Sequence, residues 1–248
     1  MEVGRAYFET DTRRYTILDA PGHKTYVPNM IGGAAQADVA VLVISARKGE
    51  FETGFEKGGQ TREHAVLAKN SGINKLVVVV NKMDDITVNW SKERYDECVE
   101  KLSPFLKQNR YNLKTDVMFM PVSGFTGVNI KNRIDSKDCD WYSGPSLLEY
   151  LDLIKITDRK LNAPFRMPVS EKYRDMGTVV VGKIEAGSIK KGSHLLMMPN
   201  AVKVDVAGIF NEMEEEIPAA GVGDNIRLRL RGIEEEVKVL TGKVDRII

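Results

Sequence analysis

This 248-residue chain has only two cysteines, Cys98 and Cys139. Two thiols are too few to staple a chain of this size, so a disulfide framework is excluded and a reduced, cytoplasmic protein is expected. A charge excess of either sign is also missing: 36 Lys and Arg stand against 35 Asp and Glu. The balance is local as well. Residues 1–162 carry 23 basic and 22 acidic side chains, and residues 163–248 carry 13 of each. Neither part is a polybasic module that holds nucleic acid by charge alone, and no sequence-specific DNA binding is expected. Long apolar runs are absent too. The longest, 39–44 and 76–80, fall far short of a bilayer span, and residues 1–5 lead into no apolar signal region. Membrane association and secretion are therefore not expected.

What is present is globular composition, 42% hydrophobic and 29% charged, in a length that fits one large or two ordinary domains. The front part alternates two patterns. Short apolar runs at 15–18, 39–44, 76–80 and 117–122 read as strands covered on both faces. Between them, about 92–107 reads as a helix. Ser91 is its N-cap, Glu93 lies in its first turn, and Trp90 and Tyr95 have the spacing of a hydrophobic staple. Tyr95, Val99, Leu102 and Leu106 form its apolar stripe. A second helix is expected after Thr61, carrying Ala65, Leu67 and Ala68. This alternation predicts an α/β domain with a mostly parallel sheet and helices on both faces. After about Asp158 the texture changes. Residues 162–164 and Pro168 read as a linker. Short β-branched or alternating runs follow at 178–181, 194–198, 203–206 and 225–230, separated by Gly and Pro, which predicts a small antiparallel β-barrel. Arg227, Arg229 and Arg231 share one face of the last run. Such a row suits a solvated surface or RNA phosphates. The glutamates at 214–216 and 234–236 read as exposed loop charge.

Three short motifs follow three of the strand runs. Asp19-Ala20-Pro21-Gly22-His23 comes directly after 15–18. A carboxylate at the end of a parallel strand points into the crevice where such sheets bind ligands, and can hold magnesium through water. Gly22 lets its N–H approach a phosphate, and His23 can orient an attacking water. Asn81-Lys82-Met83-Asp84 follows 76–80. The Asp84 carboxylate can accept from guanine N1–H and the 2-amino group, neither of which adenine offers in that geometry. The Lys82 stem can lie over the base, with Asn81 tying the loop down. Ser123-Gly124 follows 117–122 and gains meaning only from its place after the next strand.

At these residues the chain resembles the translational GTPases related to elongation factor Tu. The stretches 28–34 (PNMIGGA), 47–56 (RKGEFETGFE), 175–180 (DMGTVV), 197–200 (MMPN) and 230–236 (LRGIEEE) look like the eukaryotic class 2 release factors, the GTPases of translation termination. The resemblance implies a GTP-binding domain over 1–158 and a β-barrel second domain over 159–248. It implies GTP or GDP and magnesium as ligands, the ribosome and a class 1 release factor as partners, and His23 as the catalytic residue. Asp19, Gly22, Asn81, Lys82, Asp84, Ser123 and Gly124 are then the nucleotide-binding residues, with Asp19 on the metal. Elongation factor one-alpha and the ribosome-rescue GTPases share the motifs but match those stretches less well.

The phosphate loop G-x-x-x-x-G-K-[ST] is not found in its expected place before Asp19, nor is the first switch. The near-match at 177–184 has a β-branched interior and Ile184 where a hydroxyl is required, so it reads as a strand. The chain therefore looks like a fragment, with an incomplete GTPase domain and a second domain cut short. A non-catalytic remnant stands as the alternative to a working GTPase. The strand that precedes the phosphate loop in the family lies between the runs 15–18 and 39–44, so these two must pair or leave a gap. Pro28, Gly32 and Gly33 predict a marginal helix over 24–36 that moves with nucleotide state.

Overall fold

The computed structural model describes residues 4–19, 36–56, 58–155, 160–232 and 246–247. The chain divides into two compact units, 1–155 and 156–248, each with its own apolar core.

The first unit runs β1 (Gly4–Glu9), β2 (Arg14–Asp19), β3 (Val39–Ser45), α1 (Glu50–Phe55), α2 (Gln60–Asn70), β4 (Lys75–Asn81), α3 (Lys92–Gln108), β5 (Val117–Pro121) and α4 (Leu147–Leu153). All four expected strand runs form. Strands β3, β4 and β5 make a parallel sheet in that order, with Val39 opposite Lys75 and Leu76 opposite Val117. The central strand β4 is buried from Leu76 to Val80, as a run of four valines after a leucine demands. Leu42, Ile44, Leu76, Val78 and Val80 pack against Phe51 of α1, Ala65 of α2, and Cys98, Leu102 and Leu106 of α3. These three helices share one face of the sheet. Val77 and Val79 point to the other face and are buried as well.

Helix α3 begins as expected: Ser91 Oγ accepts the Arg94 N–H at 3.2 Å. Its buried face, however, is Arg94, Cys98, Leu102 and Leu106, with Tyr95 and Val99 only half-buried beside it. The stripe is rotated by one position because an arginine, read as polar surface, occupies the core side. Cys98 and Cys139 are both buried and unbridged, and burial pushes the Cys98 thiol up to about 11.

Strand β2 departs from expectation. It pairs antiparallel with β1, Gly4 opposite Asp19, in a two-stranded sheet of its own. The hairpin is tied to α4 instead. Asp152 accepts from Thr10 Oγ1 at 2.8 Å and from the Tyr15 hydroxyl at 2.6 Å. Arg13 Nη1 donates to the carbonyls of Leu151 and Ile154 at 3.2 and 2.7 Å, satisfying orphan acceptors at the helix C-terminus. Partial burial, with Asp152 adding to it, pushes the Tyr15 hydroxyl up to about 12. Among the described residues β2 and β3 are not hydrogen-bonded to each other, so of the two outcomes expected, pairing or a gap, they do not pair. On β3, Val41 is 43% and Val43 56% exposed, where cover on both faces was expected.

The second unit contains β6 (Met167–Pro168), β7 (Glu171–Arg174), β8 (Thr178–Lys183), β9 (Ser188–Lys190), β10 (His194–Met198), β11 (Val202–Phe210), β12 (Ala219–Gly221), β13 (Asn225–Arg231) and β14 (Arg246–Ile247). Seven form one antiparallel sheet, ordered β6-β14-β10-β11-β13-β8-β7, and β9 pairs with β12. The sheet coils so that β6 meets β8. The contact requires glycine: a Cβ on Gly182 would stand 2.1 Å from the Pro168 carbonyl oxygen. The near-match to a phosphate loop is thus strand β8, buried from Val179 to Gly182. The expected linker is also part of this unit. Lys160 and Arg166 bridge to Ala186, and Pro168 lies in β6. The glutamates at 214–216 are exposed as expected, and each has a partner. Glu214 pairs with Arg227, Glu216 with Lys191, and Glu215 accepts from Asn211. Residues 234–236 lie outside the described residues. Arg229 lies 3.6 Å from Asp175 and over the Phe210 ring at 4.7 Å, so two of the three arginines in the row already have acidic partners.

Among the described residues β3 is a seven-residue edge strand without charge or proline, a template for pairing with another chain. The wild-type chain should therefore self-associate with rising concentration, and Val43→Lys should suppress this without loss of folded signal. Sedimentation velocity across a concentration series checks it. Equal self-association of both proteins would show that the β3 edge is not the contact.

Candidate functional site

The site grows from the end of β4. Asn81, its last residue, receives two backbone donors on Oδ1: the Lys82 N–H at 2.7 Å and the Gly124 N–H at 2.7 Å. One amide thus ties the loop after β4 to the loop after β5. A Cβ on Gly124 would lie 3.2–3.3 Å from the Asn81 amide, so glycine there permits the approach. Lys82 adopts φ +63°, a left-handed conformation that an L-residue holds only when its surroundings fix it. Met83 turns into the core, its N–H donating to the Val122 carbonyl at 3.3 Å.

Asp84 follows, half-buried. Its carboxylate has no hydrogen-bond or ion-pair partner among the described residues. Its neighbour Asp85 is saturated. It accepts the Thr87 N–H at 2.9 Å and hydroxyl at 2.6 Å, and pairs with Arg47 Nε at 2.7 Å. The hydrogen bonds from Thr87, then Arg47, hold its carboxyl below the usual range. The Lys82 ammonium reaches Glu50 Oε2 at 2.7 Å. Hydrogen bonds from Lys82 and then Ser45 bring the Glu50 carboxyl down to about 2.

The turn after β3 that carries these partners is anchored by Arg94, whose side chain is 5% exposed. Arg94 Nε donates to the Ala46 carbonyl at 2.6 Å and Nη2 to the Arg47 carbonyl at 3.2 Å, while Nη1 meets Glu52 at 3.0 Å and Glu97 at 2.7 Å. Arg94 was not singled out in the sequence. The two carbonyls it serves lie 47 and 48 positions away, and no local pattern encodes them.

On the second loop Ser123 is fully buried. Its Oγ accepts the Thr126 N–H at 3.1 Å, so its side chain shapes the loop while Gly124 faces solvent. Asn129 holds the loop from below, donating to the Pro121 carbonyl at 2.8 Å. Two large apolar side chains beside these loops, Ile86 at 97% and Phe125 at 95% exposure, also went unnoticed in the sequence. Their only signal was adjacency to the motifs.

Asp19 is the exposed last residue of β2, which is antiparallel and outside the parallel sheet, so the strand-end argument for its carboxylate does not hold in the form expected. Gly22, His23 and the segment 24–35 lie outside the described residues. The structure thus brings together Asn81, Lys82, Asp84, Ser123 and Gly124. Among the described residues there is no group of three or more metal-ligating side chains, and no helix is long and apolar enough to cross a membrane.

A parallel sheet whose successive strand ends carry an N-K-x-D loop and an S-G loop, cross-linked by one asparagine, defines an incomplete α/β GTPase-type domain, here followed by an antiparallel barrel unit. Residues 1–163 match the elongation factor Tu GTP binding domain family, and the chain belongs to it. It is 65% identical over 236 residues to the eukaryotic peptide chain release factor GTP-binding subunit of Kluyveromyces lactis, covering 95% of this chain and 34% of that protein. A crystal structure of sup35 complexed with GDP is 55% identical, with TM-score 0.55, covering 98% of this chain and 56% of that one. A bacterial selenocysteine-specific elongation factor is 26% identical, with TM-score 0.70, covering all of this chain and 38% of that one. The chain thus spans about a third of the length of the curated relative.

The Arg94–Glu52 contact carries a pH dependence. The hydrogen bond from Arg94 brings the Glu52 carboxyl from 4.5 to about 2. A carboxylate depressed on folding contributes stability that is present above its ordinary value and is lost as pH falls through the folded one. Urea unfolding of the wild type should therefore weaken from about pH 4.5 down to about pH 2. Glu52→Gln should be less stable at pH 6 and less pH-dependent in that window. Parallel curves for the two proteins would remove Glu52 from the account.

Proposed function

We propose that the chain is the guanine-recognising part of a translational GTPase of termination, which couples GTP binding and hydrolysis on the ribosome to peptide release. The observation that carries the reading is the Asp84 carboxylate, half-buried and without a partner among the described residues, in a loop where Asn81 Oδ1, Lys82, Asp85 and Thr87 are all engaged. A carboxylate left free in a built loop suits a ligand that brings two adjacent donors, and guanine N1–H with the 2-amino group is such a pair. The Lys82 stem would form one wall for the base. Asn81 would fix the distance between the two loops, and Ser123 and Gly124 would set the second loop's course. The 65% identity to a release factor GTP-binding subunit supports termination as the setting.

The rest of the reaction is read from the sequence. Asp19 would hold magnesium through water, Gly22 would donate its N–H to the γ-phosphate, and His23 would position the attacking water. A bound nucleotide and its magnesium would supply the reacting phosphate. This chain's described residues contribute base selection and loop geometry. The ribosome and a class 1 release factor are the proposed partners, and the cytoplasm the proposed location.

Base selection is testable on its own. In Asp84→Asn the amide can still accept one donor but offers its own N–H, which matches the 2-oxo edge of xanthine. Competition against a fluescent GDP analogue should show guanine affinity lost by roughly 10² and xanthosine diphosphate favoured. An unchanged preference for GDP would remove Asp84 from the base site.

A further inference from the structure

Asp84 is bracketed by two residues, and each is tied to the turn after β3. Lys82 Nζ meets Glu50 Oε2 at 2.7 Å, and Asp85 Oδ2 meets Arg47 Nε at 2.7 Å. Arg47 Nη1 meets Glu50 Oε1 at 3.1 Å and closes the network. Ser45 Oγ donates to the same carboxylate oxygen as Lys82, at 2.7 Å. We propose that Glu50, supported by Arg47, is a positioning residue for guanine nucleotide: it holds the Lys82 ammonium away from Asp84 and fixes the Lys82 stem as the wall of the base site. The inference rests on the reading of Asn81, Lys82 and Asp84 given above.

Three physical arguments support it. First, Glu50 is the fixed partner. It is the first residue of α1, where the helix dipole favours a carboxylate. The helix is moored by buried Phe51 and by Arg94, which grips the Ala46 and Arg47 carbonyls and Glu52. Lys82 is the long, rotatable partner, and ordering it before the ligand arrives removes that cost from binding. Second, the pair solves a charge problem. An untethered ammonium two positions from Asp84 could pair with it and occupy the carboxylate that guanine needs. With Lys82 committed to Glu50 and Arg47 shared between Glu50 and Asp85, these two cations are engaged elsewhere. Third, the tether matches the backbone. Lys82 is held at φ +63°, with its N–H on Asn81, so the direction of its side chain is set from both ends.

The experiment reads the tether and the binding separately, on the full chain. Lys82 acylation by acetic anhydride, followed by mass spectrometry, reports whether the ammonium is held. Dissociation of a fluorescent GDP analogue reports what the tether does. Glu50→Ala should raise Lys82 reactivity and speed dissociation by about threefold to fivefold, the size set by an exposed ion pair. Glu50→Gln, which can still accept from Lys82, should fall between Ala and wild type. Both variants should remain folded at the assay temperature, with thermal midpoints well above it. Glu149→Gln, which weakens the exposed Arg133 pair elsewhere on the unit, should change neither readout. Unchanged Lys82 reactivity in Glu50→Ala overturns the tether, and raised reactivity with unchanged dissociation overturns its role. No binding of the analogue by wild type defeats the base-site reading and the proposed role with it, while Lys82 reactivity still decides whether the tether exists.

Discussion

Strand β4 is buried on both faces and hydrogen-bonded along both edges, and the rest of the first unit is arranged around that constraint. Five consecutive apolar residues leave no polar side chain until Asn81, so the chain leaves the sheet where the first one appears. At that point Asn81 Oδ1 captures the N–H of Lys82 and of Gly124, and two loops from neighbouring strands become one structure. The joining of the two loops is therefore a consequence of where an apolar run stops. A shorter side chain at Asn81 would remove the link between the two loops without touching a ligand, and a Cβ at Gly124 would crowd it.

The loops are not self-supporting. Their outer supports come from the turn after β3, which is fixed by a buried guanidinium. Arg94 is buried at the cost of desolvating its charge, which is tolerable only because five oxygens surround it. Removing Arg94 would take one donor from each of two backbone carbonyls and two carboxylates. Helix α3, the turn at 46–50 and the N-K-x-D loop are thus linked through polar contacts that share one anchor.

Much of this was legible in the sequence, and the parts that were not have physical causes. The strand runs, α2 and α3 were visible because apolar periodicity is local. The motifs were visible because their residue types follow strand ends. Strand β1 was missed because GRAYFE, with both of its faces largely solvent-facing, has no apolar alternation. Helices α1 and α4 were missed because six or seven residues give too short a period to recognise. The one-position rotation of α3 was missed because a buried arginine looks like surface until its carbonyl partners are known. The partnership of Glu50 with Lys82 spans 32 positions and could come only from the fold. In the second unit the alternation was clear enough to give the strands, but whether the arginine row faced water or neighbouring acids depended on which loops folded over β13.

The proposed base site, the N-K-x-D loop joined to the S-G loop, is built by the protein before any nucleotide arrives. Hydrogen exchange of the nucleotide-free chain, read at the Lys82 and Gly124 amides, tests it most directly. Both protons are held by Asn81 Oδ1 at 2.7 Å, so they should exchange at least about a hundredfold slower than free amides, alongside those of β4. Exchange of these two amides at the free rate, with β4 still protected, would show that the loop is assembled only by its ligand and would contradict the account.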